Sequence, residues 1–323
     1  MRYLLTASIV ALSTVGIGHP GAQDPRGLPV FRSAVDRVTV ATTVRDRSGR
    51  PVTTLTRDDF QLFDAGQPRA IADFRSETTT LSLALLVDFS GSMGLADRRA
   101  AAREAAGQLL SWIRPDDSVG LFVFDRTLRE IAPFGSTGAQ IVAGLDALRP
   151  FGMTSLFDAI AETGRVVAAE NGTHRAVIAL TDGDDNASRL TAMRVSAIAS
   201  GVDVPVYLLV LAPPGDRAGR SPDETGLDAA SQGRLADLAR WTGGQSFIAS
   251  SPARSSTAVR QIVTELRHQY VIAFEPNPRP GWHAIDIRTR QKDLVVRARS
   301  GYVVDGPEGD QGGGTSCGNR SSD

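Results

Sequence analysis

The chain of 323 residues has a single cysteine, Cys317, a single lysine, Lys292, and four histidines. One cysteine excludes an internal disulfide, and without clustered Cys or His there is no ligand set for a four-coordinate zinc site. Nor does any cysteine follow the amino-terminal apolar segment to carry a lipid. Aromatics are 6% of the residues, and Trp112, Trp241 and Trp282 fall in separate segments. They read as packing or rim residues, since a carbohydrate platform would need them together. Charge of one sign is missing as a block and the net charge is −1, so the basic stripes expected of nucleic-acid or anionic-membrane binders are absent.

Nucleotide chemistry and hydrolysis lack their parts as well. Phe89-Ser-Gly91-Ser-Met-Gly94 does not have the first glycine of G-x-G-x-x-G, and no G-x-x-x-x-G-K-[ST] occurs. A phosphatase of the haloacid-dehalogenase type needs a second aspartate where Ser90 stands, and a lysine nearer than Lys292. A serine nucleophile needs a base. His19 falls in the expected signal segment, and His174, His268 and His283 stand in different elements, where they read as surface or packing residues. An enzyme is not expected.

What the chain does have is an apolar run that stops in oxygen donors: Leu81-Ser-Leu-Ala-Leu-Leu-Val-Asp88-Phe-Ser90-Gly91-Ser92. Such a run is a central parallel strand, and ligands of open α/β sheets gather at the carboxyl ends of those strands. A carboxylate with two hydroxyls on a turn eased by Gly91 suits a hard cation such as Mg²⁺. Ser92 has a competing reading as the cap of a helix beginning near Asp97. Two later segments supply further oxygen donors. Gly152-Met-Thr154-Ser155 leads a glycine loop into a helix, and Ala176-Val-Ile-Ala-Leu-Thr181-Asp182 is a second apolar strand ending in an acidic turn.

With D-x-S-x-S, a threonine loop and a later aspartate in this order, the chain resembles the von Willebrand factor type A domain and its metal-ion-dependent adhesion site. The resemblance implies a metal set of Asp88, Ser90, Ser92, Thr154 and Asp182, with the hydroxyls coordinating directly and the aspartates directly or through water. The implied cofactor is Mg²⁺, with Mn²⁺ or Ca²⁺ as alternatives. Two nearby carboxylates leave the ion more positive character than a cage of four would, so the natural outside ligand is an acidic group of a protein partner. Asp184 and Asp185 read as a solvated turn.

The organisation expected along the chain is a signal peptide over 1–22, a β segment over 30–78, the type A domain over 79–268, a second β segment over 269–304 and a disordered tail over 305–323. The signal rests on Arg2 and the apolar run 3–17. In the central region, apolar strands at 81–87, 118–124, 176–180 and 204–211 alternate with helices at 97–113, 138–148, 155–169, 190–200, 233–242 and 255–269. That is a Rossmann-like, doubly wound, mostly parallel sheet. The turn Asp46-Arg-Ser48-Gly49-Arg is a hairpin signal. Neither flank can bury a core alone, so the two are expected to pair into one small β-sandwich-like domain. The flanks resemble exported bacterial proteins known as VWFA-related, through Thr53 to Gly66 and an arginine-bearing strand ending in Gly301-Tyr302.

The sequence thus predicts an exported, periplasmic or extracellular, non-enzymatic protein that captures an acidic group through a divalent cation. It is expected to bind no nucleic acid and to keep no membrane span once the signal is cleaved. The competing expectation is a structural or assembly protein of the cell envelope with a weak or vestigial metal site.

Overall fold

The computed structural model describes residues 37–76, 80–171, 174–212 and 229–304. The expected signal segment, the expected tail and Cys317 lie outside the described residues.

The first flank contributes β1 (Val38–Arg45), β2 (Phe60–Asp64), β3 (Gln67–Arg69) and β4 (Ile71–Arg75). The central region runs β5 (Leu81–Asp88), α1 (Ala96–Ser111), β6 (Ser118–Phe124), β7 (Leu128–Ala132), α2 (Gly138–Ala147), α3 (Leu156–Ala168) and β8 (His174–Thr181). It continues through α4 (Ala192–Gly201), β9 (Val206–Leu211), α5 (Ala229–Trp241), β10 (Ser246–Ala249) and α6 (Pro252–Arg267). The second flank holds β11 (Tyr270–Phe274), β12 (Gly281–Thr289), β13 (Val295–Ala298) and β14 (Gly301–Val304).

The central sheet has six strands in the order β10-β9-β8-β5-β6-β7, parallel except for β7. Every residue of β5 is buried, which is why its sequence is a continuous apolar run. Its side chains alternate between the two faces. Leu83, Leu85 and Val87 pack with Ala105 and Leu109 of α1 and Ile262 and Leu266 of α6, while Ala84 and Leu86 pack with Ile160 of α3, Val195 of α4 and Leu238 of α5. Burying each large aliphatic side chain contributes about 1.5–3 kcal/mol.

The flanks interleave. One four-stranded sheet has the order β13-β1-β11-β4 and the other β14-β12-β2-β3, so β1, β2 and β4 each pair with a strand from the far end of the chain. Val40, Phe60, Leu62, Tyr270, Ile272, Phe274 and Ile285 fill the core between them. The fold is therefore mixed α/β with a small all-β unit made by both flanks. The turn at Asp46 forms, with the Gly49 amide donating to the Asp46 carbonyl at 2.9 Å. It does not lead into a regular hairpin ladder: the pairing beyond it is limited to the Asp46 amide on the Arg50 carbonyl (3.0 Å), the isolated bridge Arg45–Pro51 and the Val52 amide on the Val44 carbonyl. The long-range partners of β1 take the ladder instead.

Other differences from the sequence reading have local causes. β7 and β10 are edge strands, the first carrying Arg129 and Glu130 and the second only four residues long, so neither shows a clear apolar period. The expected single strand before Gly301-Tyr302 is two, β13 and β14, in different sheets. Buried Arg299 lies between them, donating to the carbonyls of Ser200 and Thr39. Gly301 permits the close approach that follows, since a Cβ there would lie 2.5 Å from the His283 carbonyl. α6 starts at Pro252, behind a Ser251 hydroxyl that accepts the Arg254 amide.

Two buried ion clusters join the parts. Glu265 of α6, its side chain 1% exposed, pairs with Arg45 of β1 and Arg297 of β13. Arg267 at the end of α6 donates to both oxygens of Asp117, at 2.6 and 3.3 Å, and Asp117 also accepts the amides of Arg114 (2.7 Å) and Leu81 (3.0 Å). Burial alone would raise the Asp117 carboxyl, but Arg267 and the two amides hold it below the ordinary carboxylate value. The stability this contributes is full above the unfolded-state value near ~4 and is lost as pH falls through the lowered folded-state value. Asp117→Asn, which leaves Arg267 buried without its counter-charge, is expected to destabilise the protein by about 3–5 kcal/mol at neutral pH. Urea unfolding should show the gap between the two proteins narrowing on acidification below about pH 4.

Candidate functional site

The site is built where β5 runs out. Asp88 is its last residue and is 1% exposed. One carboxylate oxygen accepts the Ser90 amide at 2.9 Å and the other accepts the Thr181 hydroxyl at 2.7 Å, so the ends of β5 and β8 are tied through this side chain. The Ser90 and Ser92 hydroxyls lie 3.1 Å apart. Ser92 sits in a 3-10 turn over Gly91–Gly94, and α1 begins at Ala96 behind Leu95 without a side-chain cap. The capping role for Ser92 is thereby corrected, because the extra turn carries its hydroxyl away from the helix start.

The threonine loop is laced to this turn. The Gly91 amide donates to the Gly152 carbonyl at 2.9 Å, and the Phe151 amide donates to the Phe89 carbonyl at 2.8 Å. A Cβ on Gly91 would meet the Gly152 oxygen at 3.2 Å, so glycine favours this turn through close approach of the loop and not through its φ. Thr154 is 2% exposed. Its amide donates to the Asn186 side chain at 2.9 Å, and its carbonyl accepts the amides of Asn186 and Ala187. The Thr154 hydroxyl makes no hydrogen bond among the described residues.

Asp182 follows β8 and is also buried. One of its oxygens accepts the Asp184 amide at 3.2 Å, and the other accepts from the Arg98 guanidinium at 2.7 Å. Arg98, on the first turn of α1, also reaches the Ser92 carbonyl at 3.4 Å. The sequence reading missed Arg98, because nothing in its local pattern marks an arginine on the first turn of α1 as facing the turn after β8, 84 residues on. Asp185 corrects another expectation. It is half-buried, with one oxygen accepting the Leu156 amide at 2.9 Å and the Ser188 hydroxyl at 2.6 Å, so it caps α3 and is not a solvated turn residue. Asp158 answers from α3 by accepting the amides of Arg189 and Leu190.

Asp88, Ser90, Ser92 and Asp182 are thus linked by hydrogen bonds that run through Arg98, and Thr154 lies on the loop that the Gly91–Gly152 bond ties to the same turn. Burial, augmented by the negative charge of Asp182, pushes the Asp88 carboxyl up to about 6 against the pull of its bonds to Ser90 and Thr181. Among the described residues no group of three or more His, Cys, Asp or Glu is placed to hold a metal. The donor set is instead hydroxyls with two carboxylates, all hard oxygen, and it fits a Mg²⁺-like ion far better than zinc. The burial of Asp88, which its hydrogen bonds offset only in part, is what such an ion would relieve.

Around this edge the surface is apolar and basic. Leu95, Phe151 and Met153 are exposed, Phe151 by 80%. Arg126, Arg149 and Arg189, on loops at the same edge, are exposed and have no ion-pair partner among the described residues. The histidines stand apart: His174 is buried, His268 bonds its own helix at the Thr264 carbonyl, and His283 bonds the Arg279 carbonyl. No helix among the described residues is long and apolar enough to cross a membrane.

A mostly parallel sheet flanked by helices, with hydroxyls and aspartates at its carboxyl edge, is consistent with the fold of a von Willebrand factor type A domain. Residues 83–184, from β5 to the acidic turn after β8, match the von Willebrand factor type A domain, and the chain is a protein carrying that domain. Comparison with curated proteins gives no match. Similar solved structures include an aerotolerance-related membrane protein from Bacteroides fragilis, at 18% identity over 57% of this chain and 98% of that one, with a TM-score of 0.47. A von Willebrand factor type A protein from Catenulispora acidiphila is 13% identical over 76% of this chain and 74% of its own, at 0.48. The von Willebrand domain of the type V pili tip protein Mfa5 from Porphyromonas gingivalis is 12% identical over 58% and 94%, at 0.45.

Thr181 is the internal hinge of the site, since its hydroxyl donates to Asp88 and accepts the Gly183 amide at 3.0 Å. Thr181→Val keeps the strand's shape but leaves both partners buried and unpaired. It is expected to lower stability by about 1.5–3 kcal/mol in chelator-treated protein, measured by urea unfolding.

Proposed function

We propose that the protein is an exported, non-enzymatic binding protein that captures an acidic side chain of a protein partner through a divalent cation, Mg²⁺ or else Mn²⁺ or Ca²⁺. Asp88, Ser90, Ser92, Thr154 and Asp182 would hold the ion, which would supply a positive centre able to accept an outside carboxylate oxygen. The observation that carries this reading is Asp88, a carboxylate buried beside a second carboxylate, bonded by the Thr181 hydroxyl and followed by the paired Ser90 and Ser92 hydroxyls. The exposed Leu95, Phe151 and Met153 and the unpaired arginines support a partner whose acidic residue is set among apolar side chains. Large aromatic and arginine side chains are the groups that most often anchor such contacts. Export rests on the amino-terminal apolar segment, which lies outside the described residues.

One observation favours the second reading, a structural envelope protein with a weak metal site. Arg98 already neutralises Asp182.

The test is calorimetric titration of Mg²⁺ and Mn²⁺ into metal-stripped protein. Saturable binding is expected, with loss of at least tenfold in affinity in Asp88→Ala; binding that is unchanged in the variant would sink the assignment. For the partner, Phe151→Ser is expected to weaken cation-dependent capture by about tenfold, or ~1.4 kcal/mol, while leaving the metal titration unaltered. Capture insensitive to both chelator and this change would favour the structural reading.

A further inference from the structure

Arg98 has the geometry of a charge built into the site. Its guanidinium is 2.7 Å from the Asp182 carboxylate and 3.4 Å from the Ser92 carbonyl, so it lies against both the acidic turn and the serine turn. Its side chain is only 19% exposed, which limits screening by salt. The Nε atom is buried without a hydrogen-bond partner, an incomplete satisfaction that works against stability. What holds Arg98 at the site is the charge-assisted hydrogen bond to Asp182.

We propose that Arg98 is a specificity-determining residue of this site: a tethered cation that lowers affinity for the divalent ion and raises affinity for the anion that completes it. The proposal rests on the reading of Asp88, Ser90, Ser92, Thr154 and Asp182 as a metal site. With Asp88 and Asp182 ionised, a divalent ion alone would bring the cluster to neutrality, and Arg98 makes that assembly net positive. Like charges at this range repel even at the effective dielectric of a protein surface, so the ion enters less readily. A carboxylate arriving from outside meets two positive groups instead of one. The resting site is then one that holds its ion loosely and retains it best when an acidic ligand is present.

The experiment is Mn²⁺ titration, read by calorimetry and by water-proton relaxation, of wild-type protein, Arg98→Gln, Arg98→Met and Asp88→Ala, followed by titration of acetate into the Mn²⁺-loaded proteins. Circular dichroism melting accompanies each, and Arg98→Met, which keeps the apolar stem, serves where the glutamine variant does not fold. The expected result is Mn²⁺ affinity about tenfold tighter without the arginine, and acetate binding weaker by a similar factor. Mn²⁺ binding detected only in the Arg98 variants supports the same conclusion. Equal or weaker Mn²⁺ affinity in folded Arg98 variants overturns the proposal while leaving the metal site standing. Absence of saturable Mn²⁺ binding in wild type and in every Arg98 variant overturns the metal reading and this inference with it.

Discussion

A carboxylate at the end of a strand buried on both faces has to be satisfied by what surrounds it, and the arrangement of the whole sheet edge follows from how Asp88 is satisfied. Its two oxygens draw in the Ser90 amide and the Thr181 hydroxyl, which brings the turn after β5 and the end of β8 together. The threonine loop then docks through Gly91 and Gly152, and the acidic turn through Asn186 and Asp185. Hydrogen bonds of this kind bring only part of the relief a buried charge requires. Burial still lifts the Asp88 carboxyl to about 6, and the remaining imbalance is the physical basis for reading the edge as a place that accepts positive charge.

The central α/β region is not a bead between two tails. Its last helix carries Glu265, which meets arginines from β1 and β13, and Arg267, which meets Asp117 beneath the start of β5. After α6 ends at Arg267, two residues precede β11, a strand paired with both β1 and β4. Buried ion pairs add less to stability than their Coulomb attraction implies, because both ions must be desolvated. What they do here is fix position, since moving α6 along its axis would separate three arginines from their partners.

Much of this was legible before the structure. The strand ending at Asp88 announced itself because burial on both faces demands an unbroken apolar run, and the candidate residues Asp88 and Asp182 stood out because such runs end there in oxygen. The flanks read as β for a similar reason, their β-branched and aromatic residues being spaced for a pleated, half-buried surface. Less legible were β7 and β10, whose edge positions demand no apolar period, and the turn at Asp46, whose local chemistry is that of a hairpin although the ladder belongs to distant strands. Asp184 and Asp185 look alike in sequence, and only the approach of α3 makes the second a cap.

The sequence by itself determined most of the strands and helices, which face of each is apolar and where the oxygen donors interrupt them, because those are properties of local pattern and solvent transfer. Only the tertiary structure decided which interruptions meet. Loops far apart in the chain share an edge because parallel strands start from the same side, the flanking strands alternate because neither flank buries a core alone, and Arg98 faces Asp182 because α1 crosses the sheet above β8. Such contacts depend on the packing of whole elements, and local residue pattern carries no record of them.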